Sequence, residues 1–137
     1  MYRPLFDEFL TSGNTLRVYK GNKLLFTSDK DRLLPLVEYI EKFASRHRNV
    51  AIFDKIMGRA AALLCVKAHC GEVYSPLGSQ LGIEVLGKRG IKYHLSRTVP
   101  CIQTPDENMC PMELLSIGKE PEEFYRLIKN LLAENPS

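Results

Sequence analysis

Two clusters in this sequence combine the residue types and spacing that chemistry requires. The first is Asp54-Lys55, with Gly58 and Arg59 close behind. It lies between the short apolar stretch Val50-Ala51-Ile52-Phe53 and the run Ala60-Ala61-Ala62-Leu63-Leu64. Read as a strand feeding a buried helix that begins at Asp54, the pattern makes Asp54 a cap for the first-turn N–H groups. Lys55 and Arg59, four residues apart, then share one side of the helix N-terminus, where the dipole's positive end favours phosphate or carboxylate. Lys55 in such a place is also a candidate base. The plainer alternative is a capped helix with a solvated or salt-bridged cationic edge.

The second cluster is Met109-Cys110-Pro111-Met112-Glu113. Proline in the first helical position puts Cys110 at a helix N-terminus, where the dipole favours a reactive thiolate. A small buried hydrophobe is the competing reading of the same cysteine. Glu113 has the spacing of a capping-box partner and equally that of a general acid or base. The catalytic candidates are therefore Lys55, Cys110 and Glu113. The ligand-binding candidates are Asp54, Lys55, Gly58, Arg59, Cys110 and Met112. Cys101 is a further thiol that could approach Cys110, Cys65 falls in an apolar helix, His69-Cys70 is a weak metal pair, and His47 and His94 lack an evident partner. Neither cysteine spacing, 65 to 70 or 101 to 110, matches a zinc motif, so no metal and no cofactor are expected.

Around these clusters the chain of 137 residues reads as one α/β domain, 1–137, with 45% hydrophobic and 26% charged residues, ordinary values for a globular protein. The formal charge is +3, and basic residues are interleaved with acidic ones. Arg46-His47-Arg48 and Lys88-Arg89 cluster only where helices should end, which is a dipole effect rather than a nucleic-acid surface. Nucleic acid is not an expected partner. The first ten residues lack a signal peptide's apolar core and cleavage site, and no apolar run approaches bilayer length, so a cytoplasmic protein with reduced thiols and no membrane partner is expected.

The elements that must position the clusters follow from periodicity. Residues 4–10 form an amphipathic helix, and Leu16, Val18 and Tyr19 lead through Gly21-Asn22 into Leu24, Leu25 and Phe26 as an antiparallel hairpin. Capping residues at 28–31 precede a helix with Pro35 in its first turn and Leu33, Leu36, Val37, Ile40, Phe43 and Ala44 on its buried face. A strand over residues 72–74, a helix opened by Ser75-Pro76 and closed at Gly90, and an alternating strand through Ile91, Tyr93 and Leu95 make a βαβ pattern with parallel strands. Residues 96–108 read as a long loop broken by two prolines. Helices starting at Pro111 and Pro121 finish the chain.

Asp54-Lys55, Gly58, the alanine run, the Gly90-Ile91 turn and above all Met109-Cys110-Pro111-Met112-Glu113 resemble, in order and spacing, a small bacterial family of uncharacterised function in the cytidine-deaminase-like superfamily. The resemblance spans residues 15–132. It implies a three-layer α/β sandwich: a mixed sheet with an N-terminal antiparallel hairpin and helices on both faces. Chemistry on nucleobases has zinc-free relatives on that fold, so a nucleotide- or nucleobase-like ligand is the one expected. Zinc deaminases of that superfamily set a His or Cys beside a Glu at the start of the central helix and two cysteines at the start of the next. This sequence has Asp54-Lys55 and Ser75-Pro76-Leu77-Gly78 at those places, so zinc and the proton-shuttling Glu do not carry over.

Three function classes remain. One is a zinc-independent enzyme acting on a nucleotide-like ligand held between the two clusters. Another is a non-catalytic binding or regulatory module using the same cleft, and the third is a thiol or metal protein built on Cys101 and Cys110. Self-association as a homo-oligomer is expected by analogy alone.

Overall fold

A computed structural model describes residues 2–134; Met1 and residues 135–137 of the expected 1–137 domain lie outside the described residues. The chain runs α1 (Arg3–Thr11), β1 (Leu16–Lys20), β2 (Lys23–Ser28), α2 (Leu34–Phe43), β3 (Val50–Asp54), α3 (Arg59–Lys67), β4 (Cys70–Ser79), α4 (Gln80–Lys88), β5 (Lys92–Val99), α5 (Pro111–Ser116) and α6 (Pro121–Glu134). The five strands form one mixed sheet in the order β2-β1-β3-β4-β5. β1 is antiparallel to both β2 and β3, whereas β3, β4 and β5 are parallel. Gly21 closes the hairpin at φ 60°, a conformation glycine adopts without penalty.

Side-chain alternation along the strands sorts the core into two layers. Leu16, Val18, Val50, Ile52 and Val73 pack with residues of α2, α3, α4 and α6 in the larger cluster. On the opposite face Tyr19, Ala51, Phe53 and Tyr74 pack with Phe6 and Phe9 of α1. The Phe53 ring is the hub of that layer, with centroids 5.1 Å from Tyr19, 5.3 Å from Tyr74, 5.8 Å from Phe6 and 5.9 Å from Phe9. Every residue of β3 is buried, as a central strand covered on both faces must be. The apolar α3 packs on α2, α4, α5 and α6. No helix among the described residues is long and apolar enough to cross a membrane.

Four boundaries differ from the sequence reading, and each has a structural cause. The central helix starts at Arg59 with Gly58 as its N-cap, so Asp54 ends β3 instead of capping a helix. Residues 55–58 are not helical: the chain bends at Lys55 and Met57 bridges to β4, its N–H donating to the Leu77 carbonyl at 2.8 Å and its carbonyl accepting from the Ser79 N–H at 3.1 Å. β4 accordingly runs on through Ser75-Pro76 to Ser79, and α4 begins there, with the Ser79 hydroxyl accepting from the Gly82 N–H at 3.0 Å. Pro76 is tolerated because β3 pairs with β4 only as far as Tyr74 and the β5 register passes from Ser75 to Leu77. Residues 96–99 belong to β5, and the rest of the expected loop builds its own turn through a Gln103–Met109 bridge. Finally, α2 has Leu33 at its N-cap with no side-chain cap; the Ser28 hydroxyl instead accepts from the Lys30 N–H at 3.1 Å.

Candidate functional site

The parallel strands point their carboxyl ends toward α3 and the 100–110 segment, the end of an α/β sheet where ligands bind. There a cavity of about 510 Å³ opens, with an interior that is mostly apolar. Its walls are residues 54–56, 58, 60 and 61 on one side, residues 31–33 and Thr15 on another, and Ile102, Thr104 and residues 110–113 on a third. Six of the seven candidate residues, Asp54, Lys55, Gly58, Cys110, Met112 and Glu113, therefore meet around one space. Arg59 is the seventh, and it does not line it.

Asp54 and Glu113 are both buried here, at 9% and 2% exposure. Both oxygens of Glu113 are occupied. Oε1 accepts from the Arg59 N–H at 2.5 Å and Oε2 from the Ile102 N–H at 2.8 Å. Glu113 is thus a cap, though not the capping-box partner of its own helix: it caps α3, and ties the 100–110 segment to it. The role explains Gly58, where a Cβ would come 2.9 Å from Glu113 Oε1 and 3.0 Å from Ile102 Cγ1. Asp54, in contrast, sits at the end of its strand, where burial pushes its carboxyl up to about 7; the Lys55 and Ile56 N–H groups pull the other way but do not offset the lost hydration.

Lys55 and Arg59 diverge once residues 55–58 are not helical, so the expected cationic pair does not form. The Lys55 Nζ reaches the carbonyls of Phe9 and Leu10, each at 3.3 Å, and lies 4.6 Å from the Phe9 ring centroid at the end of α1. Arg59 donates from Nε to the Ser116 carbonyl at 3.0 Å and from Nη2 to that of Lys119 at 3.2 Å. Cys110 is half-buried at the N-cap of α5, and its N–H donates to the Ile102 carbonyl at 2.8 Å. Met112 is partly buried against the larger core cluster.

Among the described residues no group of three or more His, Cys, Asp or Glu is arranged to hold a metal ion. His94, read as partnerless, contacts Glu72 Oε2 at 2.7 Å and stacks on Tyr74 with ring centroids 4.2 Å apart. The cavity residues that the sequence did not single out are chiefly Thr15, Arg32, Leu33, Ile56, Ile102 and Thr104. For Ile102 and Thr104 a signal existed, the unusual length of their connection. Thr15 and Arg32 come from segments 20 to 40 residues upstream of Asp54, and only the tertiary fold places them.

Residues 6–132 match the family model described as a domain of unknown function, DUF1893. The chain belongs to the DUF1893 family. Among solved structures it is similar to a DUF1893 family protein, TM1506, from Thermotoga maritima, with a TM-score of 0.84 at 24% identity over 94% of this chain and 88% of that one. The likeness establishes a shared DUF1893 fold. None of the curated proteins matches.

Proposed function

We propose that this DUF1893 protein is a cytidine-deaminase-like, zinc-independent domain that binds a nucleobase- or nucleotide-like small molecule in the Asp54 cavity, as a binding module rather than an enzyme. The observation that carries the reading is Asp54 itself: a buried carboxyl at the carboxyl end of a central strand, in the wall of a largely apolar space of about 510 Å³. Such a space favours a flat, weakly polar ring, and the Asp54 carboxyl selects its hydrogen-bonding edge. With its proton equilibrium pushed up to about 7, Asp54 offers two accepting oxygens as a carboxylate, or one donor and one acceptor when protonated. Heterocycles with N–H or amino groups on one edge match either form. The mixed sheet with its leading hairpin and later parallel strands supports the superfamily reading. Binding without turnover is favoured because two of the three catalytic candidates, Lys55 and Glu113, are engaged by backbone groups.

A thermal-shift screen of nucleobases, nucleosides and nucleotides at pH 6 and pH 8 tests it, since a native-state ligand raises stability by mass action. The expected outcome is a saturable shift that differs between the two pH values and is lost in Asp54→Asn. A ring edge of two donors tightens as pH rises through about 7, whereas a donor–acceptor edge tightens as pH falls. No shift with any of these compounds, or one that Asp54→Asn leaves intact, overturns the reading.

A further inference from the structure

Arg59 leaves the large cavity and enters a second, smaller cleft of about 150 Å³, between the end of α4 and the turn that joins α5 to α6. The two spaces share no lining residue. Four cationic side chains line the small cleft, Arg59, Lys88, Arg89 and Lys119, against two acidic ones, Glu84 and Glu120. Arg89 and Glu120 neutralise each other in an ion pair at 2.9 Å, which leaves three cations facing Glu84. Lys88 lies in the last turn of α4, where a cation also opposes the helix dipole. Arg59 stands in the same relation to α5, whose last carbonyl, that of Ser116, accepts from it. Its backbone is pinned by Glu113 and its guanidinium by the Ser116 and Lys119 carbonyls, which use two of its five N–H donors. The other three remain in a side chain whose position is already fixed. Fixing a guanidinium in advance removes much of the entropy cost of gripping an oxyanion. The cleft has room for one such ion and a few waters.

We propose that this cleft is a second binding site, for a small phosphate-like dianion, held by Arg59 with Lys88 and Lys119. The site stands independently of any ligand in the Asp54 cavity.

Isothermal titration with inorganic phosphate, at constant ionic strength balanced with chloride, is the test. Arg59 supports two carbonyls, so the variant of choice is the surface pair Lys88→Ala/Lys119→Ala, with Asp54→Asn as a control for the other cavity. The expected result is saturable binding of one phosphate per chain, about tenfold weaker in the double-lysine variant, which removes two of the three cations outside the Arg89–Glu120 pair, and unchanged in Asp54→Asn. Three results overturn the proposal: no saturation, equal affinity in the double-lysine variant, or loss in Asp54→Asn with retention in the lysine variant.

Discussion

Asp54 and Glu113 are two buried carboxyl groups lining one cavity, and the fold treats them in opposite ways. Glu113 receives a backbone N–H on each oxygen, one from the start of α3 and one from the 100–110 segment, in a gap kept free by the missing side chain of Gly58. Asp54 has the N–H groups of its own following residues and is otherwise turned toward an apolar space, with its carboxyl pushed up to about 7 by lost hydration. A carboxylate that completes a helix N-terminus is architecture. One left where charge is costly is held there at the expense of stability, and such groups concentrate at functional sites. The difference separates the carboxyl that holds the site's shape from the one that the proposed function assigns to a ligand.

The largest effect should come from removing the clamp. Glu113→Ala leaves the Arg59 and Ile102 N–H groups buried without acceptors, at about 1–3 kcal/mol each, so unfolding in urea should show a loss of roughly 3–5 kcal/mol. Glu113→Gln keeps one acceptor and sets an amino group against the other N–H, and should fall between. A Glu113→Ala protein within about 1 kcal/mol of the parent would break the contrast by showing that the clamp is dispensable.

Asp54 should show the opposite sign. Its folded-state carboxyl is raised from 3.8 to about 7, so the folded state holds a proton that the unfolded chain has released. That contribution to stability is complete below pH 3.8 and is lost as pH rises through about 7. Between pH 5 and pH 8 it amounts to roughly 2–3 kcal/mol. Asp54→Asn should abolish this part of the pH dependence and leave the protein more stable than the parent at pH 8. Chemical denaturation of both proteins across that range measures it; parallel pH profiles would show that Asp54 is as well satisfied as Glu113.

The sequence made the two clusters visible and misread the line between them. Hairpin, amphipathic α1 and α6, and the parallel βαβ order are local or periodic signals, and they survive folding. The start of α3 is not local: Asp54-Lys55 before an alanine run looks like a capped helix, and the pairing of Met57 with β4 keeps residues 55–58 out of the helix. Ser75-Pro76 misled in the same way, imitating a helix start while the working cap, Ser79, stood four residues on. Because the helix started late, Lys55 and Arg59 lost their shared face. The same reading left Glu113 between the cap of its own helix and an acid or base, and could not see that the helix it caps begins 54 residues earlier in the chain.

Lys55 carries the smallest predicted effect and the sharpest use of the contrast. Its ammonium meets the carbonyls of Phe9 and Leu10 in the last turn of α1 and lies over the Phe9 ring, a position that favours a cation through the helix dipole and the ring face. Both contributions are modest at a partly exposed site, so Lys55→Ala should cost about 1 kcal/mol, chiefly by loosening α1 from the sheet. Hydrogen exchange should then quicken in α1 and stay slow in α3, while any ligand of the Asp54 cavity keeps its affinity. If the variant instead lost the ligand and kept α1 protected, the ammonium would belong to the cavity, and the ligand-facing wall would hold a carboxyl and a cation together.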